Sequence, residues 1–311
     1  LIIRNVAGLP KTYEEGLRLC LRRILRIGVA ILGLKLSISA VGMIGLHALP
    51  VVIGCIAVAI LFVSWLSRLV NLPARLGSLI AVGTSICGVT AVIAAGTATR
   101  ADEDEISYGV AVITLFGTIA LFTYPFLAHW LFDGNAEQVG LFLGTAIHDT
   151  SQVAGAGLMY QLYYDSPLSL EVAATTKLVR NVFMGVVIPI LAMTYQRRNA
   201  VVKSAKLPIP WLNWSQSVPM FLVGFVALAA VRSIGDIGGK PFGIIPIETW
   251  KEFLSFASSV SIFLLTTAIA AVGLGTNITK LKALGWKPLF IGLAAAILVG
   301  ATSYVLVTLL Y

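Results

Sequence analysis

Runs of about twenty apolar residues recur from one end of this chain to the other, and that length is the thickness of a bilayer core in α-helix. Nothing in the sequence constrains the fold more. Only 12% of the 311 residues are charged and 58% are hydrophobic, where a soluble domain carries about 25% charge. The mean hydropathy is +0.93. Continuous apolar runs, rather than alternating ones, indicate helices and exclude a barrel. The net charge of +8 then reads as basic cytoplasmic loops, not as a nucleic-acid surface.

Against this background one stretch is out of place: Gly144-Thr-Ala-Ile-His-Asp-Thr-Ser-Gln-Val-Ala-Gly-Ala-Gly157. It sets His148, Asp149, Thr150, Ser151 and Gln152 side by side inside an apolar span. Polar groups are costly in hydrocarbon unless they face protein or a water-filled cavity. The flanking glycines allow a helix to break and chains to approach closely. A second stretch, Gly83-Thr-Ser-Ile-Cys-Gly-Val-Thr-Ala-Val-Ile-Ala-Ala-Gly96, echoes it at a constant offset of 61. Gly83, Thr84, Ile86, Val92, Ala95 and Gly96 fall on Gly144, Thr145, Ile147, Val153, Ala156 and Gly157, and Thr90 falls opposite Ser151. The pair reads as two halves of one binding site.

Taken in order, residues 1–16 read as a loop or interfacial segment. Nine membrane segments follow, near 14–39, 43–70, 76–98, 106–132, 139–160, 170–195, 216–234, 251–276 and 286–310. The first carries Arg18, Arg22, Arg23 and Arg26, which must snorkel to a surface or line a protein interior. Asp102, Glu103, Asp104 and Glu105 read as a solvated connector that opens a helix. The most basic connection, 197–210, belongs in the cytoplasm, with Lys280, Lys282 and Lys287 on the same side. The count works if both Gly-rich stretches cross, and equally if both re-enter.

A further echo, at offset 240, sets Gly33-Leu-Lys-Leu-Ser-Ile-Ser on Gly273-Leu-Gly-Thr-Asn-Ile-Thr in segments of opposite direction. Opposed copies are the mark of an inverted-repeat transporter. The expected fold is therefore an all-α polytopic membrane transporter, one domain over 1–311, with inverted repeats. Its two Gly-rich segments, near 76–98 and 139–160, are broken or re-entrant.

Among the polar residues, His148 has the chemistry of a proton acceptor or anion donor. Asp149 suits a proton or cation carrier, or a structural partner of Arg180 or Lys177. Thr84, Ser85, Thr90, Thr150, Ser151 and Gln152 can hydrogen-bond a substrate or their own backbone. Lys177 and Arg180, three residues apart on one helical face, are two cations inside an apolar span with few acids near. A mobile anion would supply the missing charge. His47 and His129 fall near segment ends and read as interfacial. Ser151, His148 and Asp149 are too close on one segment for a hydrolytic triad. Cys87 with His148 and Asp149 is too loose a set for zinc. Phosphate-loop and dinucleotide motifs are lacking, so no cofactor is expected. Cys20, Cys55 and Cys87 read as packing residues. No enzyme activity is expected.

Three motifs, Ser85-Ile-Cys87-Gly88, His148-Asp-x-x-Gln-Val153 and Lys177-x-x-Arg180, resemble the YeiH family of bacterial inner-membrane proteins. The likeness extends over essentially the whole chain, including Gly273-Leu274 and Lys287-Pro288. Relatives often read His-Glu where this chain has His148-Asp149. The resemblance implies export of sulfate, with a link to sulfite. It also implies kinship with bile-acid/sodium symporters and cation/proton antiporters, a core moving against a scaffold, and a homodimer. Family members begin with one or two more hydrophobic segments, and this chain opens on Leu1, so an N-terminal segment is expected to be missing. The expected function is secondary transport of a small oxyanion, sulfate or sulfite. A proton or sodium ion could be coupled to it. The alternative is cation/proton antiport on Asp149.

Overall fold

Helix breaks and helix caps, more than apolar content, decide how this chain runs. A computed structural model describes residues 10, 12–200, 220–237, 241–275 and 285–311. The loop 197–210 falls largely outside them, as do Lys280, Lys282, residues 276–279 of the second echo and residues 1–9. Helices α1 (Tyr13–Leu19) and α2 (Leu25–Leu32) form one rod through a π-helical turn, Cys20–Ile24, and a 3₁₀ turn, Gly33–Lys35. Then follow α3 (Ile38–Leu69), α4 (Ala74–Ser85), α5 (Val89–Thr99), α6 (Glu103–Leu131), α7 (Ala136–Ala146) and α8 (Thr150–Tyr164). The chain ends with α9 (Pro167–Val182), α10 (Met184–Ala200), α11 (Met220–Gly235), α12 (Ile247–Gly275) and α13 (Trp286–Leu310). Among the described residues, five helical runs are long and apolar enough to cross a membrane: Ile38–Leu69, Glu103–Leu131, Pro167–Tyr195, Ile247–Ala271 and Trp286–Leu310.

The caps follow the local sequence. Ser37 accepts from the Ala40 nitrogen at 3.2 Å and starts α3. The acidic connector does open a helix: Asp102 and Glu105 close a capping box on α6, with Glu103 and Asp104 in its first turn. Asn135 starts α7 by accepting from the Glu137 and Gln138 nitrogens, both at 3.1 Å.

Both Gly-rich stretches re-enter. In the first, Leu79 of α4 and Val92 of α5 lie against the same residue of α6, Gly109. Gly83 meets Ile113 further along α6, whereas Gly96 meets Ile106 back towards its start. So α4 runs with α6 and α5 runs against it. The base of this hairpin is closed where it began: Arg75 pairs with Asp102 at 3.9 Å, and the Tyr195 hydroxyl donates to the Ala74 carbonyl at 2.8 Å. In the second, Gly140 and Gly144 of α7 meet Val172 and Thr176 in step along α9, while Gly157 of α8 meets Leu170 near the start of α9. This hairpin closes at the opposite end of the molecule. There His129 lies 3.0 Å from the Tyr160 hydroxyl and stacks on Tyr164 at 3.9 Å.

The other contacts agree on the two ends. Glu137 lies 3.2 Å from His47, Lys35 pairs with Glu171 at 3.4 Å, and Tyr311 donates to the His47 carbonyl, all at the end of the second hairpin. Arg18, Arg68, Arg75, Arg100 and Lys287 belong to the other end, the more basic of the two. The rod α1–α2 and α12 run in opposite directions, with Gly28 against Leu265 and the Ser261 hydroxyl donating to the Gly28 carbonyl at 2.8 Å. The described residues of the second echo, 33–39 and 273–275, lie in opposed segments, since α11 runs with the rod (Gly224 against Ala30, Ser233 against Ile38) and α12 turns back from it with Trp250 against Gly235.

Candidate functional site

The tips of the two hairpins touch in the middle of the molecule. At the first tip the helix stops at Ser85 and restarts at Val89, across Ile86 (φ −122°, ψ −98°) and Gly88 (φ 67°, ψ −123°). An L-residue rarely adopts the Gly88 conformation. A side chain there would also run into Asp149. At the second tip the helix stops at Ala146 and restarts at Thr150 with Asp149 as its cap. In the 61-residue repeat Gly88 and Asp149 are equivalent positions, each the residue before a new helix.

Asp149 serves both new helices. Its Oδ2 accepts from the Ser151 nitrogen at 2.9 Å and from the Ser151 hydroxyl. Its Oδ1 faces the Val89 nitrogen, the first of α5, at 3.4 Å. One carboxylate therefore sits between two helix N-termini, where the backbone dipoles are positive.

The helix ends that precede the breaks are matched to cations in the same way. The Arg180 guanidinium donates from Nε to the Ser85 carbonyl at 2.7 Å and from Nη2 to the Thr84 carbonyl. From Nη1 it reaches the carbonyls of Thr145 and, at 3.5 Å, Ile147. Thr84 and Thr145, equivalent in the repeat, thus share one arginine. Lys177 donates to the Ile147 carbonyl at 2.8 Å and to that of His148. Both cations are fully buried. Neither forms an ion pair among the described residues. The Asp149 partnership expected for them is not made; they hold the carbonyls freed by the helix breaks.

A cavity of about 740 Å³ extends from the tips towards the basic end, within the size range of small-molecule sites. Of the candidate residues, Cys87, Thr90, Asp149, Thr150, Ser151 and Gln152 line it. Thr84, Ser85, Gly88, His148, Lys177 and Arg180 do not. The His148 ring is buried beside the second tip, and its Nδ1 has no partner. Cys87 packs its sulfur 3.7 Å from that of Met184.

The lining also contains residues that the sequence reading left out of the site: Thr114, Asn181, Arg18 and Arg26. Asn181 is 1% exposed. Its Nδ2 donates to the Thr150 hydroxyl at 3.1 Å and its Oδ1 is unpartnered. It follows Arg180 directly, and the arginine drew the attention. Gln152 is fixed by donation to the Thr114 carbonyl at 3.1 Å and the Thr118 hydroxyl at 3.3 Å. Its Oε1 lies against Gly117, where a Cβ would collide with it.

The family model described as "Conserved hypothetical protein 698" matches residues 1–292. A UPF0324 membrane protein of Bordetella bronchiseptica is 31% identical over 296 residues, 92% of this chain and 82% of that protein. UPF0324 membrane proteins of Fusobacterium nucleatum and Haemophilus influenzae are 29% and 30% identical, each over 90% of this chain and over 80% and 76% of their own lengths. No solved structure matches.

Proposed function

The chain belongs to the family described as conserved hypothetical protein 698, and from that premise we propose that it is a secondary active transporter of a small inorganic oxyanion. Sulfate or sulfite is the substrate that the YeiH resemblance favours. The observation that carries the reading is the end of the cavity, where the N-termini of α5 and α8 converge at mid-depth. Backbone N–H groups at helix starts bind anions. Thr90 and Thr150 add hydroxyl donors to the same surface. Two hairpins entering from opposite sides supply the pseudo-symmetry that alternating access uses.

In this reading Lys177 and Arg180 keep the two tips together, and the anion is held by the tips rather than by these cations. Kinship with bile-acid/sodium symporters and cation/proton antiporters, residence in a bacterial inner membrane and a homodimer of moving cores belong to the same proposal.

One observation favours a second reading, cation/proton antiport: among the described residues Asp149 is the one carboxylate that lines the cavity. Counterflow in proteoliposomes separates the two. Uptake of labelled sulfate or sulfite driven by the same anion inside supports the first reading. Sodium flux with opposed proton movement, and no anion counterflow, overturns it.

A further inference from the structure

We propose that Arg26 is the counter-charge of the transported anion, with Arg18 as an outer step on the way to it. The proposal rests on the oxyanion reading above and adds to it a charged binding residue outside the two hairpins.

The starting point is a deficit. The cavity ends on two helix N-termini whose positive ends Asp149 partly neutralises through the Val89 and Ser151 nitrogens, leaving the other first-turn N–H groups to a ligand. The cations expected to balance a substrate, Lys177 and Arg180, are buried behind the tips and turned to backbone carbonyls. An oxyanion entering this space needs positive charge from elsewhere in the wall.

Arg26 and Arg18 line that wall, and among the described residues they are the basic ones that do so. Arg26 is deep. Two residues on, Gly28 accepts from Ser261, at the centre of α12. Between Arg26 and Lys35, which pairs with Glu171 at the far end, the rod rises about 13 Å, or roughly half a bilayer core. An arginine at such depth is tolerated when it faces water or pairs with a negative group. Arg26 is exposed to the cavity and has no carboxylate partner among the described residues. Its recorded neighbour is the Phe221 ring, 6.0 Å from the guanidinium carbon. Arg18 sits about 12 Å nearer the basic end, by helix rise, and is held loosely by Glu14 at 3.8 Å.

Asn181, buried to 1% exposure and also in the lining, donates its Nδ2 to the Thr150 oxygen, which leaves the Thr150 O–H free to donate to an anion. Arg26, Thr150 and Thr90 belong to the lining of one and the same cavity. A guanidinium matches an oxyanion in a bidentate manner, with two parallel N–H donors. A free oxyanion and the phosphate of a lipid headgroup share this chemistry.

The experiment measures binding of labelled sulfate and sulfite to the full chain in phosphatidylcholine nanodiscs, with and without phosphatidylglycerol. Arg26→Gln is expected to weaken binding by at least about tenfold, and Arg26→Lys by about three- to fivefold, because the charge is retained but the paired N–H donors are lost. Arg18→Gln is expected to slow association more than it weakens binding. Rescue by lysine excludes a folding defect as the cause. If the wild type binds an oxyanion and Arg26→Gln binds it equally well, the assignment of Arg26 fails while the transport reading stands. A change confined to the phosphatidylglycerol dependence assigns Arg26 to lipid and also overturns it. If the wild type binds neither anion, the oxyanion reading itself fails.

Discussion

Gly88 and Asp149, equivalent positions of the internal repeat, lie against each other. The glycine has no side chain because the aspartate occupies that space, and Asp149 Oδ1 faces the Val89 nitrogen at 3.4 Å. The repeat is thus asymmetric at its own axis: one carboxylate caps both re-starting helices.

This makes the two positions energetically coupled. Gly88→Ala combines a positive φ with a collision, so it is expected to cost about 1–3 kcal/mol from the backbone alone. Part of the collision disappears when Asp149 is also shortened. In a double-mutant cycle read by thermal unfolding in detergent, Gly88→Ala should cost at least about 1 kcal/mol less in the Asp149→Ala background. Strict additivity would show that the tips are not in contact.

Arg180 ties both tips through four carbonyls. Hydrogen bonds from charged groups contribute about 1.5–3 kcal/mol each. Arg180→Gln is therefore expected to lower stability by at least about 3 kcal/mol. Adding Asp149→Asn should not restore it, since no ion pair joins the two residues among the described contacts. Recovery of the melting temperature in the double variant would revive a direct charge pairing.

Gly117 is a positioning residue. An Ala there gains helix propensity of up to about 1 kcal/mol but displaces the Gln152 carboxamide that the glycine accommodates. Transport should fall at least about tenfold while the melting temperature holds or rises. A parallel loss of stability and transport would mean that Gly117 serves packing alone.

Re-entry predicts the labelling pattern of four single-cysteine variants in a background lacking Cys20, Cys55 and Cys87. Arg75→Cys and Asp104→Cys, at the two ends of the first hairpin, should react with an impermeant maleimide from the cytoplasmic face. Glu137→Cys and Tyr163→Cys, at the two ends of the second, should react from the other face. Labelling of Arg75 and Asp104 from different faces would make the first stretch a crossing segment.

Much of the site was legible because bilayer physics makes polar residues conspicuous. His148 to Gln152 stand out in an apolar run, and the Gly-Thr-x-Ile echo pointed to Gly83–Thr90 as their partner. The choice between crossing and re-entry was not legible. Helices of 12, 11, 11 and 15 residues with short breaks have the hydropathy of broken spans. Only contacts such as Arg75 with Asp102 distinguish them. The role of Lys177 and Arg180 was hidden for a related reason: their partners are backbone carbonyls, which leave no trace in residue identity. Asn181 was masked by its neighbour, and Arg26 by three other arginines on the same helix.

The opposed hairpins also alter the electrical shape of the protein. If water fills the cavity from the basic end to the tips, it carries the potential of that compartment to mid-depth. The transmembrane voltage then falls across the packed layer between the tips and the end marked by Glu137. An ion crossing only that layer works against most of the field, about 2.3 kcal/mol per elementary charge per 100 mV. A displacement at Asp149 is therefore about twice as electrogenic as one of equal length in a field spread over the whole bilayer.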